Sequence, residues 1–387
     1  MKDRKGWPTA FRPWQHYVIF LLGCAVWLTR RPDAVFHPQF WAEDGHVWFA
    51  NAYNLGWWTT LFRAQDGYFQ TLPRLAAALA LLVPIALAPL VLNLIAIAIE
   101  VLPVSILLSS RSSAWGSLRY RAVMAAIYLA LPNTREIGAI VTSSQWILAL
   151  CALLILVASL PHSVVGRTFD ISLLLICGLT GPFCVFLLPV AIFIAWRRRD
   201  LLRWSYVGML ATLCLVQAWG LLVIDRSGRA HAPLGPSFQL FARILGGQVF
   251  LGTLLGGNGL ASFKSPSIFF LLVCSAISGS ILVAICFLRS TLEMKLLLLL
   301  TAALLAGAFL SPAAYPASRS NPVATACRGK RHSLLVLSDA LVCLVAALGI
   351  SEPESRAQDS VGCASVPDVF RNHSRLADCA HERHALA

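Results

Sequence analysis

The chain has 387 residues, 58% of them hydrophobic and 13% charged, with a formal net charge of +13 and a mean hydropathy of +0.71. A soluble globule of this length needs a polar exterior that such a composition does not supply, so a soluble protein is excluded. The positive charge does not imply nucleic acid, because much of it sits at the ends of apolar runs, as in RRRD at Arg197–Asp200, where Lys and Arg hold loops in the cytoplasm.

Several windows stay apolar for roughly 16 to 22 residues, long enough to cross most of a bilayer core as helices. No alternating barrel strands occur, so the expected class is an all-α polytopic membrane protein with about nine to ten transmembrane helices. Lys2, Arg4, Lys5 and Arg12 precede the first apolar run, Trp14 to Thr29. RRPD follows that run where a small-residue cleavage site would stand, so it reads as a retained helix with a cytoplasmic N-terminus. Arg30 to Thr71 is then an outside loop rich in Trp, Phe and Tyr, expected to hold one or two short helices lying on the membrane.

Leu72 to Ser109 is apolar except for breaks at Pro84 and Pro89. Two crossings would leave Arg111, Arg119 and Arg121 outside, whereas one crossing plus a partly inserted helix satisfies the charge rule; both readings stand at this point. Tyr120 to Leu131 and Gln145 to Leu160 are further helices, joined by the outside loop PNTREIGAIVTSS. Ile171 to Trp196 is too long for one plain span and has GLTGPF at its centre. Gly-Pro frees backbone groups that lipid cannot satisfy, so two half-helices should meet there against protein or a water-filled cavity. Ser205 to Ile224 crosses again, Asp225 to Ser265 reads as a Gly-rich outside loop, and Ser267 to Leu288 and Lys295 to Leu310 complete the helices. The membrane domain is thus residues 1–311, with no soluble domain and no internal repeat.

Residues 312–387 are atypical. ASRSNPVATACRGKRHS is basic where the alternation wants an outside loop, and Leu334 to Ile350 is apolar but carries Asp339. Two readings stay open: a disordered cytoplasmic tail, and a shift of reading frame near Ala313 to Asn321. Back-translating Pro322 to Leu337 and reading one nucleotide later allows the membrane-like peptide QWQQLA-x-GNGIRYWF.

Seven of the eleven Cys (Cys24, Cys151, Cys177, Cys184, Cys214, Cys274, Cys286) lie in or beside apolar segments. Without a CxxC pair or Cys/His ligand spacing they read as small core residues. No P-loop, zinc motif or nucleophile elbow occurs, so ATP hydrolysis and serine hydrolase chemistry lack support.

The chemistry-bearing candidate is FWAEDGHVWFANAYNLGWW, Phe40 to Trp58. Glu43 and Asp44 are adjacent, so on a helix they point about 100° apart and cannot share one partner. One would face a polar cavity while the other caps a helix or pairs with Arg; the plain alternative is that AEDG starts an interfacial helix. Acids at an apolar interface are costly and tend to be functional. His46 reads as an interfacial hydrogen-bonder rather than a base. Asp66, Tyr68 and Arg74 follow in AQDGYFQTLPRL, where Arg74 at a helix start suits a phosphate, its planar fork matching paired oxygens, or anchors the helix at the interface. Asn133 and Glu136 lie in the polar loop, where Glu136 also has Arg135 within reach. Arg243 and Lys264 are lone loop cations, more suited to solvent than to phosphate.

FWAEDG…NAYNLGW…GYFQTLPRLAAALA, then LPNTREI…SSQW, then GLTGPFCVFLLP resembles the GT-C type of integral-membrane glycosyltransferase and a group of bacterial membrane proteins with the same pattern. The resemblance runs from about Trp14 to Ser311. It implies a multi-pass protein of the bacterial inner membrane that moves a sugar from a polyprenyl-phosphate donor to an extracytoplasmic acceptor. Asp44, or Glu43, would deprotonate the acceptor, Arg74 would steady the departing phosphate, with Asp66, Tyr68, His46, Asn133 and Glu136 around the substrate, and GLTGPF would border the lipid cavity. Expected partners are the lipid-linked donor and membrane lipid, with no nucleic acid; no cofactor is called for, although a divalent metal is compatible with the acids. An out-of-frame tail would remove the late helices and leave the product inactive. The alternative functions are a transporter or flippase of lipid-linked glycans, for which broken helices are also suited, or a non-catalytic membrane protein.

Overall fold

A computed structural model describes residues 13–41, 43–65, 67–131, 138–224, 238–261 and 268–310. All of these lie within Met1–Gly349, the larger of two units into which the chain divides. The tail from residue 311 falls outside the described residues. What is described is helical, and its β-type pairing is confined to two isolated bridges, Gln65 with Tyr68 and Gln70 with Thr180.

Helix α1 (Pro13–Arg30) leads to a loop built from short helical pieces: α2 (Asp33–Phe36), a π-type turn over Asp44–Phe49 running into α3 (Ala50–Leu55), and α4 (Trp57–Leu61). The region expected to be one crossing or two resolves into a ten-residue helix, α5 (Thr71–Ala80), and a 21-residue helix, α6 (Ala88–Leu108), with the chain turning at Pro84. Ten residues rise only about 15 Å, too short to cross, whereas 21 rise about 32 Å, the thickness of a bilayer core. Helices α7 (Leu118–Ala130), α8 (Ser144–Val157), α9 (Val164–Gly178), α10 (Phe183–Arg198) and α11 (Leu201–Trp219) follow. The expected break does fall at GLTGPF, but its first arm begins at Val164, so the two arms have 15 and 16 residues.

Three helical stretches are long and apolar enough to cross a membrane, Ile85–Leu108, Leu201–Leu222 and Phe269–Arg289, and Val141–Val157 is a shorter apolar one. The chain is therefore an all-α membrane protein. Helix α8 is buried along nearly its whole length, as expected of a helix that is apolar all round, and it forms the axis on which α6, α9 and α10 pack.

Arginines close the helix ends. Arg30 donates to the carbonyls of Leu129 and Leu131 at the end of α7, Arg121 to those of Leu107 and Ser109 after α6, and Arg203 to those of Leu156 and Ala158 after α8. The last carbonyls of a helix have no partner within it and carry the negative end of its dipole, so a cation there is favoured twice. These contacts sort the helices into an antiparallel set with two ends. One end gathers Arg111, Arg121, Asp170, Arg198, Arg203 and Glu293; the other gathers Arg31, Asp44, Arg74 and the 178–182 break.

The Gly-rich segment expected to be a loop is mostly helical where it is described. Helix α12 (Phe238–Ala242) and a π-type stretch over Arg243–Leu251 pack against α14 (Ile268–Arg289). Helix α13 (Gly252–Ala261) follows the π-type stretch with a kink at Gly256 (φ +69°), and α15 (Leu292–Leu310) comes last. Arg243, read as a lone loop cation, opens that π-type stretch, exposed. Glycine disfavours helices by about 1 kcal/mol per residue, but here it permits close backbone approach: a Cβ on Gly246 would lie 1.9 Å from the Leu272 carbonyl oxygen. Gly246→Ala is expected to cost about 1–3 kcal/mol, the range for overpacking. Gly208→Ala on α11, where a Cβ meets nothing within 4 Å, should be neutral or mildly stabilising; thermal unfolding in detergent compares the two.

Candidate functional site

The backbone of residues 69–72 is stitched to the 178–182 break. Thr71 N–H donates to the Leu179 carbonyl at 3.0 Å, Gly181 N–H to the Phe69 carbonyl at 2.9 Å, and Leu72 N–H to Thr180 Oγ1 at 3.0 Å. Gln217 on α11 completes the seal: it accepts from Phe69 N–H and donates to the Gly178 and Gly181 carbonyls. Gly181 stands at φ +87°, and its missing side chain leaves room for the Gln145 amide, which a Cβ would meet at 2.5 Å. Backbone groups freed by Gly-Pro are thus satisfied by protein. GLTGPF, expected to border a lipid cavity, docks on the segment that starts α5.

That docking holds Arg74, in the first turn of α5, against Trp48. The guanidinium carbon lies 5.1 Å from the indole centroid, within cation–π range. Arg74 is 2% exposed, and its Nε, Nη1 and Nη2 have no hydrogen-bond partner among the described residues. Burial, and then repulsion from Arg63, lower its pKa to about 10, so it remains a cation at neutral pH. A buried charge is normally paired, and this one has no such pairing among the described residues.

Trp48 carries the contact onward. Its Nε1–H donates to Thr142 Oγ1 at 2.7 Å, and the Thr142 hydroxyl donates to Asp44 Oδ1 at 2.6 Å. Asp44 also accepts from Thr142 N–H on Oδ1 and from Val141 N–H on Oδ2, each at 3.0 Å. These are first-turn N–H groups of the helix that continues into α8, so Asp44 caps it from a distant segment. Asp44 is 1% exposed. Burial raises its pKa to about 6 despite the three hydrogen bonds that lower it, and the neighbouring Glu43 raises it slightly further.

Two acids a hundred degrees apart thus part company: Asp44 turns inward and Glu43 stays half-exposed, with partners of its own. His46 is exposed in the same turn, and Tyr68 is half-buried, its backbone paired with Gln65; both side chains belong to residues with further contacts. Asp66, Asn133, Glu136 and Lys264 lie outside the described residues. Among the described residues no three of His, Cys, Asp or Glu gather as a metal site would require.

Trp48 and Thr142, which join Asp44 to Arg74, were not singled out from the sequence; Trp48 was one aromatic among many, and Thr142 one hydroxyl in a polar loop. Glu100 was missed as well. It is 4% exposed on α6, accepts from Ala139 N–H at 3.0 Å through Oε1, and leaves Oε2 without a partner among the described residues. A lone acid inside an apolar run was the available signal. Glu100 and Asp44 therefore grip the same short segment, Ala139–Thr142, whose Ala139 sits at φ +61°, a conformation costly for a residue with a Cβ. No family model matches the chain, and neither the curated proteins nor the solved structures provide a match.

Proposed function

We propose that the protein is a multi-pass membrane glycosyltransferase of the bacterial inner membrane that takes a sugar from a polyprenyl-phosphate donor and passes it to an extracytoplasmic acceptor. One observation carries this reading: a buried guanidinium with no hydrogen-bond acceptor among the described residues, stacked on Trp48 and linked through Thr142 to Asp44. A phosphate offers the paired anionic oxygens that a guanidinium fork fits best. The arginine-rich end suits the cytoplasmic side and the Asp44–Arg74 end the outside, which is also where a lipid-linked donor would be used.

In this reading Asp44 takes the proton of the acceptor hydroxyl. The hydroxyl oxygen bonds to the anomeric carbon as the bond from that carbon to the phosphate oxygen breaks. The electron pair leaves on the polyprenyl phosphate, whose charge Arg74 holds. Oδ2 of Asp44 accepts one hydrogen bond where Oδ1 accepts two, so it keeps an acceptor direction for that proton. A carboxylate near pKa 6 is a stronger base than an ordinary one and is still mostly ionised at neutral pH.

Arg74→Met tests the reading through two measurements that move in opposite directions. Removing a buried charge that has no hydrogen-bond partner among the described residues, while keeping its bulk, should raise stability by about 1–3 kcal/mol, the desolvation cost of an unsatisfied group. Transfer of radiolabelled sugar from polyprenyl phosphate by the purified protein should be lost at the same time. Full transfer in a folded Arg74→Met variant would end the proposal.

A further inference from the structure

Away from this site, α10 and α11 frame a groove of about 550 Å³, lined by Val185, Leu188, Pro189, Ile192, Trp196 and Cys214 among others. We propose that it holds one acyl chain of an anionic phospholipid whose phosphate lies on Arg197 and Arg199. Three features argue for a held lipid over passing solvent lipid. The first is length: from Val185 to Trp196 a helix rises about 17 Å, close to half of a hydrocarbon core of about 30 Å, so the groove spans one leaflet.

The second feature is the placing of charge. The groove ends at Trp196, which is exposed, and the next three residues are the exposed Arg197, Arg198 and Arg199. Tryptophan favours the level of lipid headgroups, and arginines just beyond it stand where phosphates lie. The third is availability. Arg198 reaches Glu293 at 3.9 Å and Arg203 is occupied by Asp200 and two carbonyls, but the side chains of Arg197 and Arg199 have no hydrogen-bond or ion-pair partner among the described residues. Arg199 sits at φ +53°, where its N–H closes α10 on the Ala195 carbonyl at 2.8 Å. This turns the chain back into α11 and keeps the cluster at the groove mouth. Cys214, one of the lining residues, lies about 20 Å along α11 from its start beside the arginines, at the tail end of the bound chain.

The test uses the full chain in nanodiscs with photoactivatable phosphatidylglycerol or phosphatidylcholine, each carrying a diazirine in the acyl chain. Cross-links from the anionic probe should map to residues 185–192 of α10 and to the neighbourhood of Cys214. They should exceed those from the zwitterionic probe by about tenfold or more, since each arginine near the surface adds to the attraction of anionic lipid. The Arg197→Gln/Arg199→Gln variant, which removes exposed and unpaired groups, should erase that preference, and Ile192→Trp should block the cross-links by filling the groove. Equal labelling by both probes, or an unchanged preference in the double variant, would show ordinary annular lipid and overturn the proposal.

Discussion

Asp44→Asn is expected to lower sugar transfer by about 10² to 10⁴, the usual contribution of a positioned general base. The same change should also destabilise the fold, because an amide nitrogen would face the N–H of Val141 or Thr142, leaving donors unpaired at about 1–3 kcal/mol. Thr142→Val separates the two effects. It removes the hydroxyl that donates to Asp44 at 2.6 Å and should cost similar stability, but leaves the carboxylate in place and transfer within about tenfold. The pH profile gives a second readout. Transfer by the wild type should climb as pH rises through about 6, where Asp44 becomes ionised, and the Asn variant should lack that limb. Stability moves the other way. A carboxyl with a folded pKa raised above its unfolded value of 3.8 binds its proton more tightly in the native state, so its stabilising contribution is full below about 4 and is lost as pH rises through 6. Equal falls in stability and transfer for both variants would reduce Asp44 to a helix cap.

The second large effect is expected at the opposite end of the bundle. Arg111 binds Asp170 through two nitrogens, at 2.9 and 2.5 Å, while its Nε donates to the Ser159 carbonyl at 2.8 Å, and Tyr206 donates to Asp170 at 3.3 Å. Exposure makes the pair asymmetric: Asp170 is fully buried, whereas the Arg111 side chain is 25% exposed. Arg111→Ala strands the acid with a single weak donor and should cost about 3–5 kcal/mol, the penalty for breaking a buried ion pair. Asp170→Ala should cost less, because Arg111 can turn to water. Removing both charges, as Arg111→Met with Asp170→Leu, should restore most of the loss. Unfolding midpoints at constant detergent and lipid rank the three variants, and an Asp170→Ala protein less stable than Arg111→Ala would contradict the asymmetry.

The helices were legible because membrane-length apolar runs leave few alternatives to helix. Trp14–Thr29 became Pro13–Arg30, and Ser267–Leu288 became Ile268–Arg289. The break at GLTGPF was legible for the same reason, since Gly and Pro at mid-run force it. Residues 238–261 were not. Their glycines carry the propensity of a loop, and the close approach of Gly246 to the Leu272 carbonyl is a long-range contact that propensity does not register. Glu100 was not legible as a site residue, because the N–H it accepts from belongs to Ala139, 39 residues further along the chain.

At the candidate site the sequence by itself determined that Glu43 and Asp44 cannot face the same way, that Arg74 begins a helix, and that both lie beside apolar spans. These follow from helical geometry and hydropathy, which are local. Which acid is buried, and that Arg74 has no hydrogen-bond partner among the described residues, was decided by tertiary structure alone. Val141 and Thr142 reach Asp44 from nearly a hundred residues away. The Phe69–Leu72 segment is set by a break more than a hundred residues later. Hydrogen bonds of that range leave no periodic trace in a chain, because each donor answers to where another helix ends, and so the site takes shape only when α8, the 178–182 break and α5 come together.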